Sequence, residues 1–257
     1  MLLAVDIGNT HTVIGLFRDW EMWDSWRIAS DPMKTEDEYA IIISNLLATE
    51  GHGMREIKAL VLSSTVPALT DIWQHLTNKY FDIEPLIVSA ETKTDMPLKV
   101  DNPQMVGADR IVNSVEAIRK YGTNLIVVDL GTATTFDCIS QDGEYIGGAI
   151  APGVAISANA LAEKAAKLPR VQFVVPEKVL SPNTTGALQS GIVYGFAGQI
   201  DGIVKRLKAE MGGDVKVIAT GGLAEKIAPV CETVDEVDTM LTLRGLNLIF
   251  RKSIGKA

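Results

Sequence analysis

Residues 2–12 have the sequence LLAVDIGNTHT, an apolar run that ends in a short polar turn. The run predicts a buried strand that ends at Asp6. Gly8 allows a sharp turn after the strand and brings backbone N–H groups close to whatever lies above it. Asn9, Thr10 and Thr12 add hydrogen-bonding side chains. A carboxylate beside so many donors suits a phosphate that carries its metal ion, because the cation bridges the two anions.

The same pattern recurs in residues 125–135, LIVVDLGTATT. Three positions match at a constant displacement of 123 residues: Asp6 and Asp129, Gly8 and Gly131, Thr12 and Thr135. Ordinary strand-to-strand turns also favour Asp and Gly, so one copy alone would favour that interpretation. Two copies with matching flanks indicate a duplicated folding unit, in which each copy presents a carboxylate to a shared cleft.

Composition and charge exclude several classes of protein. The 257 residues are 47% hydrophobic and 22% charged, which is typical of a globular protein with a large core. The net charge of −8 argues against a nucleic-acid surface but allows a local site for a small anion. No apolar run is long enough to span a membrane, and no signal peptide is visible. The isolated Cys138 and Cys231 suggest reduced thiols, so we expect a cytoplasmic protein.

The order of predicted elements indicates an α/β fold with two mixed sheets. Residues 1–90 predict βββαβαβ, and the pair Thr35 and Glu38 predicts a capping box at the first helix. From residue 125 we predict a second three-stranded meander, helices over 154–168 and 187–211, a strand over 215–219 and a closing helix over 241–250. The acidic stretch 235–238 is predicted to be exposed. We place the domain boundary so that the domains comprise residues 1–115 and 116–257.

Residues 107–110, Gly-Ala-Asp-Arg, open a predicted helix between the two halves. Phosphoryl transfer needs a carboxylate that takes the proton of the acceptor hydroxyl, and Asp109 suits that role. Arg110 could bind an acceptor carboxylate through two parallel hydrogen bonds. If the pair stood alone, a surface ion pair or a helix cap would be the better interpretation. The chain has neither a P-loop nor a Rossmann dinucleotide motif.

Five short segments follow one another along the chain: residues 6–10 (DIGNT), 107–110 (GADR), 129–135 (DLGTATT), 147–153 (GGAIAPG) and 220–222 (TGG). Taken in this order, they resemble the type III pantothenate kinase family. Each motif alone is common, and the glycine-rich segment 147–153 suits a ligand-approach loop and a tight strand-to-helix crossover equally well. The resemblance covers nearly the whole chain. It implies the acetate and sugar kinase, Hsc70 and actin superfamily fold, in which two duplicated ribonuclease-H-like domains, each a mixed β-sheet flanked by helices, hold ATP in the cleft between them.

The resemblance also implies an activity and a set of site residues. The family transfers the γ-phosphoryl group of ATP to the terminal hydroxyl of pantothenate, the first step of coenzyme A synthesis. The resemblance implies that Asp109 is the general base and that Mg²⁺ arrives with ATP near Asp6. It also implies that Asp129 is a ligand of a monovalent cation, K⁺ or NH₄⁺. The implied ATP-binding residues are Asp6, Ile7, Gly8, Asn9, Thr10, His11, Thr12, Val13 and Thr132. The implied pantothenate-binding residues are Gly107, Ala108, Asp109, Arg110 and Thr184.

The family is homodimeric, and the resemblance implies an acceptor site near the dimer interface. Glycines 191, 195, 198 and 202 lie on one face of the predicted helix 187–211, and they could pack within the chain or against a second copy. The chain departs from the family pattern at Val100, where many family members have Tyr. The contact that this tyrosine makes with the acceptor is therefore not expected here. Two alternatives remain: a sugar or carboxylate kinase of the same superfamily, and a non-catalytic nucleotide-binding regulatory protein.

Overall fold

The structure, a computed structural model, describes residues 1–255. Its contacts divide the chain into two compact units. Unit 1 comprises residues 1–95 and 101–116 together with the segment that begins at Leu241. Unit 2 comprises residues 96–100 and 117–240. None of the helices among these described residues is long and apolar enough to cross a membrane.

Unit 1 is built on a mixed five-stranded sheet of order β3-β2-β1-β4-β5. Its strands are β1 (Leu2–Ile7), β2 (His11–Arg18), β3 (Glu21–Ala29), β4 (Ala59–Ser64) and β5 (Leu86–Ile87). The first three form the predicted antiparallel meander, and β4 joins β1 in parallel. β1 is buried along almost its full length, as its apolar sequence predicts.

The helices of unit 1 are α1 (Glu36–Thr49), α2 (Pro67–Leu76), α3 (from Ala108; it ends at Tyr121, beyond the unit boundary) and α7 (Leu241–Ser253). α1 begins with the predicted capping box: the Glu38 N–H donates to Thr35 Oγ1 at 3.3 Å, and the Thr35 N–H donates to Glu38 Oε2 at 2.9 Å. Tyr39 of α1 and Trp73 of α2 are fully buried and pack with the apolar face of the sheet. The helices therefore bury the sheet that carries Asp6.

The closing helix α7 packs on β1, β4 and β2, in unit 1. A Cβ added at Gly245 would overlap the Val112 carbonyl of α3, so this glycine lets the two helices approach closely. The predicted boundary assigns residues after 240 to the second domain. The contacts instead assign this helix to unit 1, because its apolar face completes the core beside β1.

Unit 2 repeats the sheet of unit 1, with the order β10-β9-β6-β7-β8. Its strands are β6 (Leu125–Leu130), β7 (Ala133–Ile139), β8 (Tyr145–Pro152), β9 (Lys216–Thr220) and β10 (Glu236–Val237). β6 pairs with β7 antiparallel and with β9 parallel, as β1 does with β2 and β4. The sequence repeat therefore corresponds to two copies of one sheet topology.

The helices of unit 2 are α4 (Val154–Lys164), α5 (Thr184–Met211) and α6 (Ala224–Ile227). α5 begins three residues earlier than predicted, because Asn183 caps it by accepting a 2.9 Å hydrogen bond from the Gly186 N–H. Thr184 therefore lies in the first helical turn and not in a loop. α4 ends at Lys164, four residues short of the predicted end.

The prediction that residues 235–238 are exposed was wrong for Asp238. This side chain is buried, and its Oδ2 accepts hydrogen bonds from Lys120 Nζ at 2.6 Å and from the Tyr121 hydroxyl at 3.0 Å. A buried carboxylate needs such partners, since isolated burial of a charge is very costly. The segment 96–100 also differs from a simple connecting loop, because it pairs with Tyr145 at the start of β8.

Candidate active site

Asp6 lies at the end of β1, opposite Val13 on β2 and Ser63 on β4. The Ser63 hydroxyl donates a 2.6 Å hydrogen bond to Asp6 Oδ1. The β1–β2 turn is tight, with the Gly8 N–H donating to the His11 carbonyl at 3.1 Å. The strand end thus presents a partly buried carboxylate beside a turn of exposed backbone and polar side chains, Asn9, Thr10 and His11.

The remaining predicted ATP-binding residues of this turn are enclosed by the fold. Ile7 and Thr12 are fully buried, and Val13 is partly buried. Thr12 Oγ1 shares a 2.9 Å hydrogen bond with Ser30 Oγ, so its hydroxyl has a partner within unit 1. Ile7 and Thr12 pair with each other across β1 and β2, so these residues fix the shape of the turn.

Asp109 lies in the first turn of α3, also in unit 1. Its Oδ1 accepts a 2.9 Å hydrogen bond from the Arg110 N–H. A Cβ at Gly107 would collide with this carboxylate, so the glycine leaves room for the side chain. Burial raises the pKa of Asp109, and the Arg110 N–H and charge oppose that rise. A carboxylate with a raised pKa is suited to accept a proton near neutral pH.

The charge of Asp109 acts on Asp6. Burial is the largest cause that raises the pKa of Asp6 from 3.8 to about 6, and the negative charge of Asp109 adds to the rise. The Ser63 hydrogen bond opposes it. Two partly desolvated carboxylates in one unit are stabilised by a cation, so the donor set fits a divalent metal ion that arrives with a phosphate.

Asp129 ends β6 in unit 2, opposite Thr135 and Thr220. Gly221 follows with a left-handed φ of 92°, and a Cβ there would overlap Asp129 Oδ1 and the backbone of Leu130. Thr220 Oγ1 is buried and makes no hydrogen bond within residues 1–255. Oxygen ligands of this kind fit a monovalent cation. A cluster of three or more His, Cys, Asp or Glu side chains suited to a metal does not occur in the described part of the chain.

The other predicted residues of unit 2 lie at its surface. Thr132 is exposed between β6 and β7, and Thr184 is exposed in the first turn of α5. In the glycine-rich segment, a Cβ at Gly148 would overlap the Phe136 carbonyl, and one at Gly153 would overlap the Thr132 carbonyl. Close backbone packing therefore requires both glycines, which supports the tight-crossover interpretation at these two positions. Val100 lies against Gly147.

Two features, one in each unit, could not be predicted from sequence motifs. Ser63 carries no motif, and only the pairing of β1 with β4, separated by 57 positions in the chain, brings it to Asp6. Thr220 belongs to the predicted Thr-Gly-Gly turn, but its position opposite Asp129 depends on the β6–β9 pairing.

Comparisons with known proteins agree with this architecture. The sequence profile of type III pantothenate kinase matches residues 2–206. The type III pantothenate kinase of Moorella thermoacetica is 49% identical over 253 residues, which cover 98% of this chain and 100% of that protein. The enzyme of the same description from Geobacter sulfurreducens is 47% identical over 253 residues, covering 98% and 99%.

A solved structure shows the same fold at low identity. The activator of 2-hydroxyisocaproyl-CoA dehydratase from Clostridium difficile, with bound ADPNP, aligns with a TM-score of 0.53 and 13% identity over 100% of this chain and 97% of that one. The predicted fold class, two duplicated ribonuclease-H-like domains with mixed sheets, is confirmed. Because the profile spans most of the chain and the relatives match at nearly full length, this chain belongs to the type III pantothenate kinase family.

Proposed function

We propose that this protein is a transferase that moves the γ-phosphoryl group of ATP to the terminal hydroxyl of pantothenate, the first step of coenzyme A synthesis. Family membership supports the reaction. The observation that best supports the proposed site is the pair Asp6 and Asp109. They are two partly buried carboxylates of unit 1, and the charge of Asp109 is close enough to act on Asp6.

The chain's own residues suit distinct roles in that reaction. Asp109 accepts the proton of the pantothenate hydroxyl as it attacks, since burial raises its pKa toward neutrality. Arg110 binds the pantothenate carboxylate, with Gly107 and Ala108 forming the backbone of that segment and Thr184 adding a polar contact. Residues 6–13 bind the phosphates of ATP, and Thr132 makes a second contact with the nucleotide.

Two cations belong to this proposal. Asp6 holds the Mg²⁺ that accompanies ATP, and Asp129 with Thr220 holds K⁺ or NH₄⁺. When bound, the divalent ion offsets the charge that builds on the transferring phosphoryl group. The unpartnered Thr220 hydroxyl supports the second site, because a buried oxygen without a hydrogen bond is costly unless a ligand satisfies it.

We further propose that unit 2 forms a homodimer through α5 and exposed apolar residues of the same unit. Gly191, Gly195 and Gly198 are exposed, and a Cβ at any of them would meet nothing within 4 Å. These small residues leave a helix face onto which a second helix could pack closely. Ile150 is 67% exposed and Leu180 is 84% exposed. Exposed apolar side chains of this size are the kind that a second copy of the chain would bury.

The dimer is tested by sedimentation. We expect the wild-type protein to sediment at twice the 27.7 kDa of one chain. Gly195→Lys should shift it to the monomer, because a long charged side chain would prevent close helix packing. Gly53→Lys is the matched control, since a Cβ there also meets nothing within 4 Å. A wild-type monomer at micromolar concentration, or a Gly195→Lys dimer as stable as wild type, would contradict the interface.

The activity is tested by ADP release with ATP and Mg²⁺, using pantothenate, hexoses and short carboxylic acids as acceptors, in potassium and then in sodium. We expect turnover only with pantothenate, and much faster turnover in potassium. Turnover with hexoses alone would favour the sugar-kinase alternative. Nucleotide binding without turnover on any acceptor would favour the regulatory alternative. Equal rates in both salts would reject the cation-binding role of Asp129 but not the kinase activity.

A further inference from the structure

We propose that Ser63 is a positioning residue for the reaction: its hydroxyl fixes Oδ1 of Asp6, so that Oδ2 is the oxygen presented to the metal ion carried by the nucleotide. This inference rests on the proposed function, in which Asp6 holds Mg²⁺. It assigns a role to a residue that lies outside all five motifs of the chain.

The contact between Ser63 and Asp6 is short, buried and built by the sheet. The Ser63 hydroxyl lies 2.6 Å from Asp6 Oδ1, and Ser63 is fully buried. The two residues are direct neighbours in the parallel pairing of β1 with β4. Both strands lie inside the sheet of unit 1, with β2 beyond β1 and β5 beyond β4. The backbone positions of donor and acceptor are therefore set by strand pairing and not by a mobile loop.

The hydrogen bond leaves the two carboxylate oxygens of Asp6 in different situations. Oδ1 accepts from Ser63, whereas Oδ2 makes no hydrogen bond within the described chain. A carboxylate anchored through one oxygen cannot rotate freely, so the other oxygen keeps one direction. Residues that orient a metal-binding carboxylate in this way commonly change metal affinity about 10- to 100-fold when removed.

The second sheet has the same arrangement of residue types. Thr220 on β9 lies opposite Asp129 on β6, as Ser63 on β4 lies opposite Asp6 on β1. A hydroxyl side chain thus faces the strand-end aspartate in both copies of the sheet. The hydroxyl is directed to the carboxylate in unit 1, whereas in unit 2 Thr220 Oγ1 makes no hydrogen bond among the described residues.

The experiment is a calorimetric titration of the full-length protein with a non-hydrolysable ATP analogue, with Mg²⁺ and then with EDTA. The ratio of the two Kd values measures how much the metal tightens binding. For Ser63→Ala we expect this ratio to fall about 10- to 100-fold, with the metal-free Kd unchanged. The Tm should fall modestly, because Asp6 loses a buried hydrogen bond. Ser64→Ala is the matched control, because Ser64 is the next residue of β4 and bonds its hydroxyl to the Val66 carbonyl instead. Its ratio should equal that of wild type.

Ser63→Cys provides a second variant that preserves the buried volume while replacing the hydroxyl with a weak donor. It should also lose most of the metal-dependent tightening. A wild-type ratio in both Ser63 variants would overturn the positioning role. Equal weakening with and without Mg²⁺ would also overturn it, since that result indicates a general structural effect.

The outcome for Ser63 is distinguishable from the outcome for the proposed function. Wild-type protein that binds the analogue more tightly with Mg²⁺ but never phosphorylates pantothenate would reject the activity and leave the Ser63 comparison valid. Wild-type protein whose binding ignores Mg²⁺ would reject the metal role of Asp6 and the role of Ser63 together.

Discussion

Asp109→Asn is expected to lower kcat about 100- to 10,000-fold with pantothenate as acceptor, the usual contribution of a general base. The amide cannot take the hydroxyl proton, although its oxygen can still accept the hydrogen bond that the Arg110 N–H donates to Asp109 Oδ1. Because burial raises the pKa of Asp109, its charged form costs stability in the folded protein. The neutral amide should therefore fold at least as well. Steady-state kinetics and thermal unfolding measure the two effects.

The control for this variant is Asp101→Asn, an exposed carboxylate eight positions earlier in the chain. It should leave both kcat and Tm at the wild-type values. A turnover of Asp109→Asn within a few fold of wild type would reject Asp109 as the base. A large fall in Tm would mean that the lost activity reflects unfolding.

Asp6→Asn is expected to gain stability while it loses Mg²⁺-dependent nucleotide binding and turnover. Burial and the charge of Asp109 raise the pKa of Asp6 from 3.8 to about 6. Because this folded-state pKa lies above the unfolded value, the contribution of Asp6 to the free energy of unfolding is largest below about pH 4 and declines as the pH rises through 6. At pH 8 the ionised group therefore costs an estimated 1–3 kcal/mol, on the scale of about 1.4 kcal/mol per pKa unit.

Urea unfolding of wild type and Asp6→Asn at pH 8 and pH 5 measures this cost. The variant should be more stable than wild type by about 1–3 kcal/mol at pH 8, and the difference should shrink at pH 5 as Asp6 takes up a proton. The Ser63 hydroxyl can still donate to the amide oxygen, so packing is preserved. A variant less stable than wild type at pH 8 would contradict the conclusion that the ionised Asp6 side chain lowers the free energy of unfolding.

The duplicated strand and turn predicted most of the fold. Asp6 and Asp129 lie at the ends of equivalent strands in two sheets of equivalent order. In both sequences an apolar run favours a buried strand, and the Asp-x-Gly that follows favours a turn. The capping box at Thr35 was also predictable, since its hydrogen bonds involve residues three positions apart. Local patterns of this kind can be recognised without knowing which residues far along the sequence they contact.

The features that escaped prediction depend on distant partners. Asp238 belongs to an acidic stretch that is typical of a surface, yet Lys120, 118 positions away, pairs with it in the buried state. The amphipathic pattern of residues 241–250 predicts a helix with one buried face but does not say which sheet that face covers. The same is true of Ser63 in unit 1. A serine at the end of a strand indicates no particular role until the residue beside it on the neighbouring strand is known.

The most direct test of the proposed reaction is to identify the product after the protein is incubated with ATP, Mg²⁺, K⁺ and pantothenate. We expect ³¹P NMR and mass spectrometry to find pantothenate with one phosphoryl group on its terminal hydroxyl, in equal amount to the ADP formed, and none with Asp109→Asn. If folded protein in potassium forms ADP without phosphorylated pantothenate, the proposed reaction is wrong.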